Sequence, residues 1–248
     1  PATRNHFGTF QNQLFALMWQ FIQNYFRETK LKKKLQEANL PDFLRAYHAA
    51  CQSRPKGMEA RLVVFDTETT GLEVQKDQIL SIGAIAIEKG EIVYQDSFEA
   101  YIRRSHTGDQ ASVPVHQILS QELLQAAEEA TVMQDFLAYM RGDILVAHHA
   151  AFDQAMLHKL MQKSWGFPLL NPVIDTFSLA MRLEQGRWDT QQHEAGKYSL
   201  DALCQQYHIQ NYARHSALGD ALATAELFLH LWHKAQKQGI GSFKELLM

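Results

Sequence analysis

Residues 62–72 read Leu62-Val63-Val64-Phe65-Asp66-Thr67-Glu68-Thr69-Thr70-Gly71-Leu72, an apolar run that leads directly into two acids and a polar turn. The apolar run has the β-branched and aromatic residues of a short buried strand. Side chains two positions apart on a strand face the same side, so Asp66 and Glu68 should converge at its C-terminal end. Two close carboxylates repel unless a proton or a cation neutralises them, which makes the pair a candidate metal site. A strand that enters a turn at Gly71 would explain the same residues without a metal.

The ligand chemistry and the composition restrict what this site can be. Oxygen-only ligation favours magnesium or manganese over zinc. The two cysteines, Cys51 and Cys204, lack the C-x-x-C spacing of a zinc site and do not suggest a disulfide framework. We therefore expect a reducing, cytoplasmic location. Neither a signal peptide nor an apolar run of about 18 residues is recognisable, so no membrane partner is expected.

Strand-like and helical patterns alternate after the acidic pair. Strand-like segments at 78–88 and 91–102 are joined by Lys89-Gly90, which predicts an antiparallel hairpin. The pattern further predicts buried strands at 144–147 and 172–175, and helices at 121–140, 152–163, 176–184, 199–207 and 219–237. This order predicts an α/β fold with a mixed sheet, antiparallel at its start and then parallel, with helices on both faces.

The first 57 residues differ from the remainder in pattern and in charge. Helical spacing of apolar residues predicts an amphipathic helix over 10–25 and a second helical stretch, broken by Pro41, that ends near residue 50. Residues 1–60 carry a net charge of +5 in a chain of net charge −3. We predict a helical extension over 1–57 and a catalytic domain over 58–248. The extension could support a homodimer or a protein partner, and its basic run is either a solvated helix face or a contact with phosphates.

Three further residues are candidates for the same site, although each has a simpler explanation alone. Asp153 and Asp220 each open a predicted helix, where an acid favours the helix dipole without any function. His215, five residues before Asp220, could be an ordinary loop histidine. Only the combination of these residues with Asp66 and Glu68 favours a shared site.

Together these segments resemble the three motifs of the DEDDh exonucleases. This DnaQ-like family has a ribonuclease H-like fold and includes the proofreading epsilon subunit of bacterial DNA polymerase III. The matching segments are 66–72, Phe152-Asp153 and 215–221, which occur in the family's order between residues 61 and 233. Asp175-Thr176 and residues 198–203 also resemble family segments, less specifically.

The resemblance implies a ribonuclease H-like fold, an activity and a set of roles. The activity is 3′ to 5′ release of nucleoside 5′-monophosphates from nucleic-acid 3′ ends, with single strands preferred. Four acids would hold two Mg²⁺ or Mn²⁺ ions, namely Asp66, Glu68, Asp153 and Asp220. His215 would take a proton from the attacking water. The terminal nucleotide would be bound around Thr67, Thr69, Thr70, Gly71, Leu72, His149 and Phe152.

The resemblance includes a departure at His149, and the sequence is compatible with more than one function. Many relatives carry Asn at the position of His149, which leaves nucleotide positioning unsettled. We expect no long polymerase-binding tail after the third motif. A free-standing exonuclease on single-stranded DNA, RNA or short oligonucleotides is favoured over a proofreading or repair-complex subunit that docks through residues 1–57. A binding module without activity is disfavoured because all four acids and His215 are present.

Overall fold

The structure of the protein is a computed structural model that describes residues 29–55, 60–105, 118, 120–185, 196–210 and 213–247. The predicted helix over 10–25 lies outside these residues. The chain forms two units, Pro1–Arg45 and Ala46–Met248. In the first unit, residues 29–35 are helical. The predicted domain boundary after residue 57 stays a prediction.

A five-stranded mixed sheet forms the centre of the second unit. Its strands are β1 (Leu62–Thr69), β2 (Ile79–Glu88), β3 (Glu91–Tyr101), β4 (Ile144–Ala147) and β5 (Val173–Asp175), in the order β3-β2-β1-β4-β5. The β1–β2 and β2–β3 pairs are antiparallel, and the β1–β4 and β4–β5 pairs are parallel. The predicted mixed sheet, with an antiparallel start and then parallel strands, is confirmed.

The turn between β2 and β3 has the backbone conformation that its sequence predicts. Lys89 and Gly90 have φ angles of 52° and 81°. Two consecutive positive φ angles match the twist of a tight hairpin, and glycine adopts such an angle without steric cost. The hairpin predicted from Lys89-Gly90 is therefore present.

Helices flank the sheet and connect its strands. They are α1 (Asp42–Ser53), α2 (Ser120–Gln125), α3 (Glu129–Met140), α4 (Ala150–Trp165), α5 (Thr176–Gln185), α6 (Leu200–Tyr207) and α7 (Ala217–Lys237), followed by a 3-10 turn at Phe243–Glu245. No helix among the described residues combines the length and the apolar character needed to cross a membrane.

The single helix predicted over 121–140 is wrong, because the structure divides it into α2 and α3. Between them, Ala127 forms a parallel bridge with Ile102, and its carbonyl accepts the backbone N–H of Arg103 at 2.8 Å. A carbonyl used in this way is not available to the ladder of a continuous helix. The chain that leaves β3 therefore interrupts the helix at a point that local periodicity does not mark.

The long helix α7 builds much of the core next to β1 and β2. Phe228, Leu231 and Trp232 on this helix are buried. The rings of Phe228 and Trp232 pack against Phe243, with centroid separations of 6.2 and 4.8 Å. Burial of a side chain such as Leu or Phe contributes about 1.5–3 kcal/mol. The helix also packs against both β1 and β2, which gives its first turn a defined place beside the strands.

Candidate active site

Asp66 and Glu68 lie inside β1, near its carboxyl end. The prediction that they follow the strand is wrong in this detail, because β1 remains paired with β2 as far as Thr69. Backbone pairing continues past the apolar run, since it does not depend on side-chain polarity. Candidate ligand oxygens of Asp66, Glu68 and Asp220 all lie within 4.8 Å of one another. The structure therefore brings together acids from the first and third motifs.

Gly83 allows Asp220 to reach the strand. Gly83 on β2 pairs with Asp66, and a Cβ atom at this position would lie 2.1 Å from the backbone nitrogen of Leu218. A glycine within a strand commonly marks a close approach of another backbone. Here the approaching backbone is the first turn of α7, which also carries the buried Asp220.

His215 lies in the turn that enters α7. Its φ angle is 65°, in the left-handed region that residues other than glycine seldom adopt. Its backbone N–H donates to Asp220 Oδ2 at 3.3 Å. Ser216 then caps the helix, because its hydroxyl accepts the N–H of Gly219 at 3.2 Å. These contacts fix the backbone of His215 directly beside Asp220.

Asp153 reaches the site from the first turn of α4. It is buried, and it lies outside the group of three acids within 4.8 Å, although its charge acts on both Asp66 and Glu68. Thr67 lies between those two acids on β1 and donates its hydroxyl to Asp153 Oδ1 at 2.5 Å. Thr67 therefore connects the first motif to the second.

Asp175, at the end of β5, supports the start of α4. Its Oδ1 accepts the backbone N–H of Ala150 at 3.3 Å, and its Oδ2 accepts the hydroxyl of Ser178 at 2.8 Å. Ala150 is the first residue of α4, the helix that carries Asp153. Asp175 therefore holds the helix that positions one of the site acids.

Burial and mutual repulsion raise the pKa values of these acids. Burial first, and then the charges of Asp153, Asp220 and Glu68, hold the pKa of Asp66 well above its ordinary value. Burial and the charge of Asp220 raise the pKa of Glu68 to about 7. Burial also raises the pKa of Asp153 to about 7, against the opposing hydrogen bond from Thr67. Such a cluster is destabilised by its own charge and gains from a bound cation.

The donor set fits a hard divalent cation. Each of the four acids offers carboxylate oxygens, the ligands that magnesium and manganese prefer. Asp66, Glu68 and Asp220 converge closely enough to share one ion, and Asp153 adds a fourth acid next to them. All four predicted metal ligands therefore lie in one neighbourhood.

The end of β1 and the loop after it contain Thr69, Thr70, Gly71 and Leu72, four of the seven residues predicted to bind the nucleotide. Thr69 donates its hydroxyl to the carbonyl of Gly71, and Thr70 donates to Asp77 Oδ1, both at 2.8 Å. A Cβ atom at Gly71 would lie 2.6 Å from the carboxylate of Asp77. These side chains shape a loop in which Leu72 is 84% exposed.

Lys159 attaches this loop to α4. Its ammonium group donates to the carbonyls of Val74 and Asp77, both at 2.7 Å, and to that of Gln75 at 3.3 Å. Three acceptors match the three donors of an ammonium group. Because α4 also carries Asp153, the loop and one of the site acids share a support.

His149, one of the residues predicted to bind the nucleotide, presents an aromatic ring. Its ring lies 4.0 Å from that of Phe177, with an interplanar angle of 31°. His149 is exposed and Phe152 is partly exposed, in the turn where α4 begins. Burial first, and then the charge of His149, lower the pKa of the neighbouring His148 to about 3. The ring of His149 is therefore held against Phe177 at the start of α4.

Three residues of this neighbourhood were not identified from the sequence: Gly83, Lys159 and Arg214. A signal existed for Gly83, because an isolated glycine in a strand pattern indicates a close backbone contact. No local pattern marks Lys159 or Arg214. Their partners include Val74 and Asp201, which are distant in sequence.

Comparison with known proteins identifies the family. A model of the exonuclease family RNase_T matches residues 63–228, a span that includes all four acids and His215. The chain belongs to this exonuclease family. The resemblance to DEDDh, DnaQ-like nucleases is confirmed.

Curated relatives of this exonuclease are far longer proteins. The PolC-type DNA polymerase III of Thermotoga petrophila is 34% identical over 187 residues, which cover 75% of this chain and 13% of the relative. The PolC-type DNA polymerase III of Bacillus subtilis (strain 168) is 35% identical over 213 residues, covering 85% of this chain and 14% of the relative. The chain thus spans only a small part of the length of these relatives.

Solved structures show that the exonuclease has the fold predicted for it. Exonuclease I of E. coli in complex with a dT13 oligonucleotide superposes with a TM-score of 0.59 at 15% identity, covering 72% of this chain and 42% of that chain. Exonuclease X in complex with 5′ overhanging duplex DNA superposes with a TM-score of 0.53 at 22% identity, covering 71% of this chain and 93% of that chain. The ribonuclease H-like fold is therefore confirmed.

Proposed function

We propose that the protein is a metal-dependent 3′ to 5′ exonuclease that removes nucleoside 5′-monophosphates from single-stranded 3′ ends. The observation that carries this proposal is the convergence of Asp66, Glu68 and Asp220 within 4.8 Å. Asp153 adds a fourth carboxylate from α4, and His215 is attached to Asp220 through its backbone. A site of this composition suits phosphodiester hydrolysis at a nucleic-acid end.

The four acids would hold two Mg²⁺ or Mn²⁺ ions, and three different parts of the fold position them. Asp66 and Glu68 are placed by β1, Asp153 by Thr67, and Asp220 by the first turn of α7. When bound, the ions would supply positive charge for the attacking and leaving oxygens. The proposal includes both magnesium and manganese, because carboxylate oxygens suit either ion.

His215 would act as general base and remove a proton from the attacking water. A histidine can accept a proton near neutral pH. The capped start of α7 and the hydrogen bond from the His215 N–H to Asp220 hold this residue beside the carboxylates. The base and an acid that binds metal would therefore move as one unit.

The terminal nucleotide would lie between the loop after β1 and the start of α4. Leu72, 84% exposed at the tip of its loop, and the ring of Phe152 offer apolar surfaces to the last base. Gly71 would contribute backbone groups, while Thr69 and Thr70, whose hydroxyls form hydrogen bonds within the loop, would hold its shape. The exposed ring of His149, which lies over Phe177, would stack on a neighbouring base.

DNA is the favoured substrate. The structural relatives were solved with a dT13 oligonucleotide and with duplex DNA that has a 5′ overhang, and the curated relatives are DNA polymerases. Cleavage of RNA or of short oligonucleotides is an alternative result of the digestion experiment, because the choice of sugar depends on contacts near the 2′ position.

A second candidate function is service to a DNA polymerase or repair complex. Its support is the identity of 34–35% with a segment of PolC-type polymerases, in which an exonuclease-like region belongs to a much longer chain. Residues 1–57 would then form the docking element, or would instead hold a homodimer. Co-purification of the full chain, with and without these residues, separates these cases by the mass of the complex.

The experiment that tests the main proposal compares strands labelled at one end. The full chain is incubated with Mg²⁺ or Mn²⁺ and matched single-stranded and duplex DNA or RNA. A 3′ label should appear first as a mononucleotide, while a 5′ label should remain on a shortening ladder. Asp66→Ala should abolish both signals. Early release of the 5′ label, or full activity of Asp66→Ala, would contradict the proposal.

A further inference from the structure

Arg214 connects two acids at the edge of the site. Its Nε donates to Asp201 Oδ1 at 2.5 Å, and its Nη2 donates to Asp201 Oδ2 at 3.2 Å. Its Nη1 forms a close ion pair with Asp220 Oδ2. One guanidinium group therefore makes a two-point contact with an acid outside the metal site and a single contact with a proposed metal ligand.

The two partners of Arg214 differ in exposure. The Asp201 side chain is 66% exposed, whereas that of Asp220 is 6% exposed, and Arg214 itself is 31% exposed. The contact with Asp201 therefore lies on the solvent side and the contact with Asp220 on the inner side. A small rotation of the guanidinium group would keep the outer contact and release the inner one.

The charge of Arg214 acts on more than its direct partners. It lowers the pKa values of Asp66 and Glu68, against the burial and the neighbouring acids that raise them. Arg214 is therefore a permanent positive charge that partly neutralises the same carboxylates that a divalent cation would use. Like charges repel at short range, so the guanidinium group and a divalent cation on these carboxylates would disfavour each other.

We propose that Arg214 is an internal counter-charge of the metal site, which pairs with both Asp201 and Asp220 when no cation is bound and keeps only Asp201 when one binds. This inference rests on the proposed function, because it requires a cation on Asp220. The ion pair stabilises the metal-free site and lowers its affinity for the metal. Asp201 has the opposite effect, since it gives Arg214 a partner that remains when the contact with Asp220 is released.

The test measures Mn²⁺ affinity by isothermal titration calorimetry and the unfolding temperature in EDTA, with the full chain. Arg214→Gln should bind Mn²⁺ at least about fivefold more tightly, the low end of usual coupling between two sites, and should unfold at a lower temperature in EDTA. Arg214→Lys, which keeps the charge, should bind no more tightly than wild type. Asp201→Asn should bind more weakly, and the double variant should resemble Arg214→Gln.

Arg103→Gln is the matched control. Arg103 is a surface arginine paired with Glu128, and neither residue belongs to the acidic site. The Mn²⁺ affinity of this variant should therefore equal that of wild type. Weaker Mn²⁺ binding by Arg214→Gln would overturn the inference, because Arg214 would then only position Asp220. If wild type bound no Mn²⁺ at all, the proposed function itself would fail. If wild type bound Mn²⁺ and the variants matched it, the inference alone would fail.

Discussion

Asp66 and Gly83 lie opposite each other across the β1–β2 pair, and the backbone of α7 rests on Gly83. The strand acid and the helix that brings Asp220 therefore meet at a position without a side chain. Any side chain at position 83 must push the start of α7 away, since a Cβ atom would lie 2.1 Å from Leu218 N. Gly83 thus sets how closely the two acids approach each other.

Gly83→Ala should impair catalysis through this separation. We expect at least a tenfold loss of exonuclease activity, and a loss of stability of about 1–3 kcal/mol, the usual cost of overpacking. Activity assays and urea unfolding measure the two effects. Gly241→Ala is the control, because nothing lies within 4 Å of a Cβ atom there and its backbone is not left-handed. Equal activity of Gly83→Ala and wild type would contradict this role.

His215→Ala should lower activity by about 100- to 10,000-fold, the usual range for the loss of a general base. The backbone contact with Asp220 remains in this variant, because it uses the N–H group rather than the ring. Mn²⁺ affinity should therefore change little. A kcat unchanged at both neutral and alkaline pH would remove His215 from the base role.

Stability without metal should depend on pH in a defined direction. The folded-state pKa values of Glu68 and Asp153 are raised to about 7 from 4.5 and 3.8. The folded protein therefore retains protons that the unfolded chain releases, and stability falls as pH rises through about 4 to 7. The unfolding temperature in EDTA should be lower at pH 8 than at pH 5.5, with a weaker dependence for Glu68→Gln. A rise over this range would contradict the cluster's proposed repulsion.

Addition of Mn²⁺ should oppose this fall of stability with rising pH. Metal ligands must be deprotonated, so the cation stabilises the protein most at the pH where its carboxylates repel most strongly. The increase in unfolding temperature on adding Mn²⁺ should thus be larger at pH 8 than at pH 5.5. The same increase at both values would show that these acids do not bind the ion.

Lys159→Met should weaken substrate binding more than chemistry. The variant removes three hydrogen bonds that hold the loop carrying Leu72, while the site acids remain in place. KM should rise roughly tenfold, with a smaller change in kcat, as expected when mainly binding is lost. Lys163→Met is the control, since this 64% exposed residue pairs with Glu129 on α3. A matching rise in KM for Lys163→Met would point to a general charge effect.

The sequence predicts the parts of this molecule that depend on local patterns. Asp66 and Glu68 follow the strand period, and Lys89-Gly90 encodes its own turn. The break between α2 and α3 was not predictable, because it depends on Ala127 meeting the chain that leaves β3. Arg214 was not predictable for the same reason, because its contact with Asp201 forms only when α6 lies beside the start of α7. Long-range contacts carry the information that local periodicity lacks.

The separation of Asp66 and Asp220 along the chain has a consequence for synthesis. The strand acids leave the ribosome early, whereas Asp220 is made only after α6, with most of the domain in between. Contacts between distant segments form late, because a long loop must close first. A nascent chain therefore carries an incomplete cluster until α7 docks on Gly83. The proposed exonuclease activity would therefore arise only when synthesis of the domain is nearly complete.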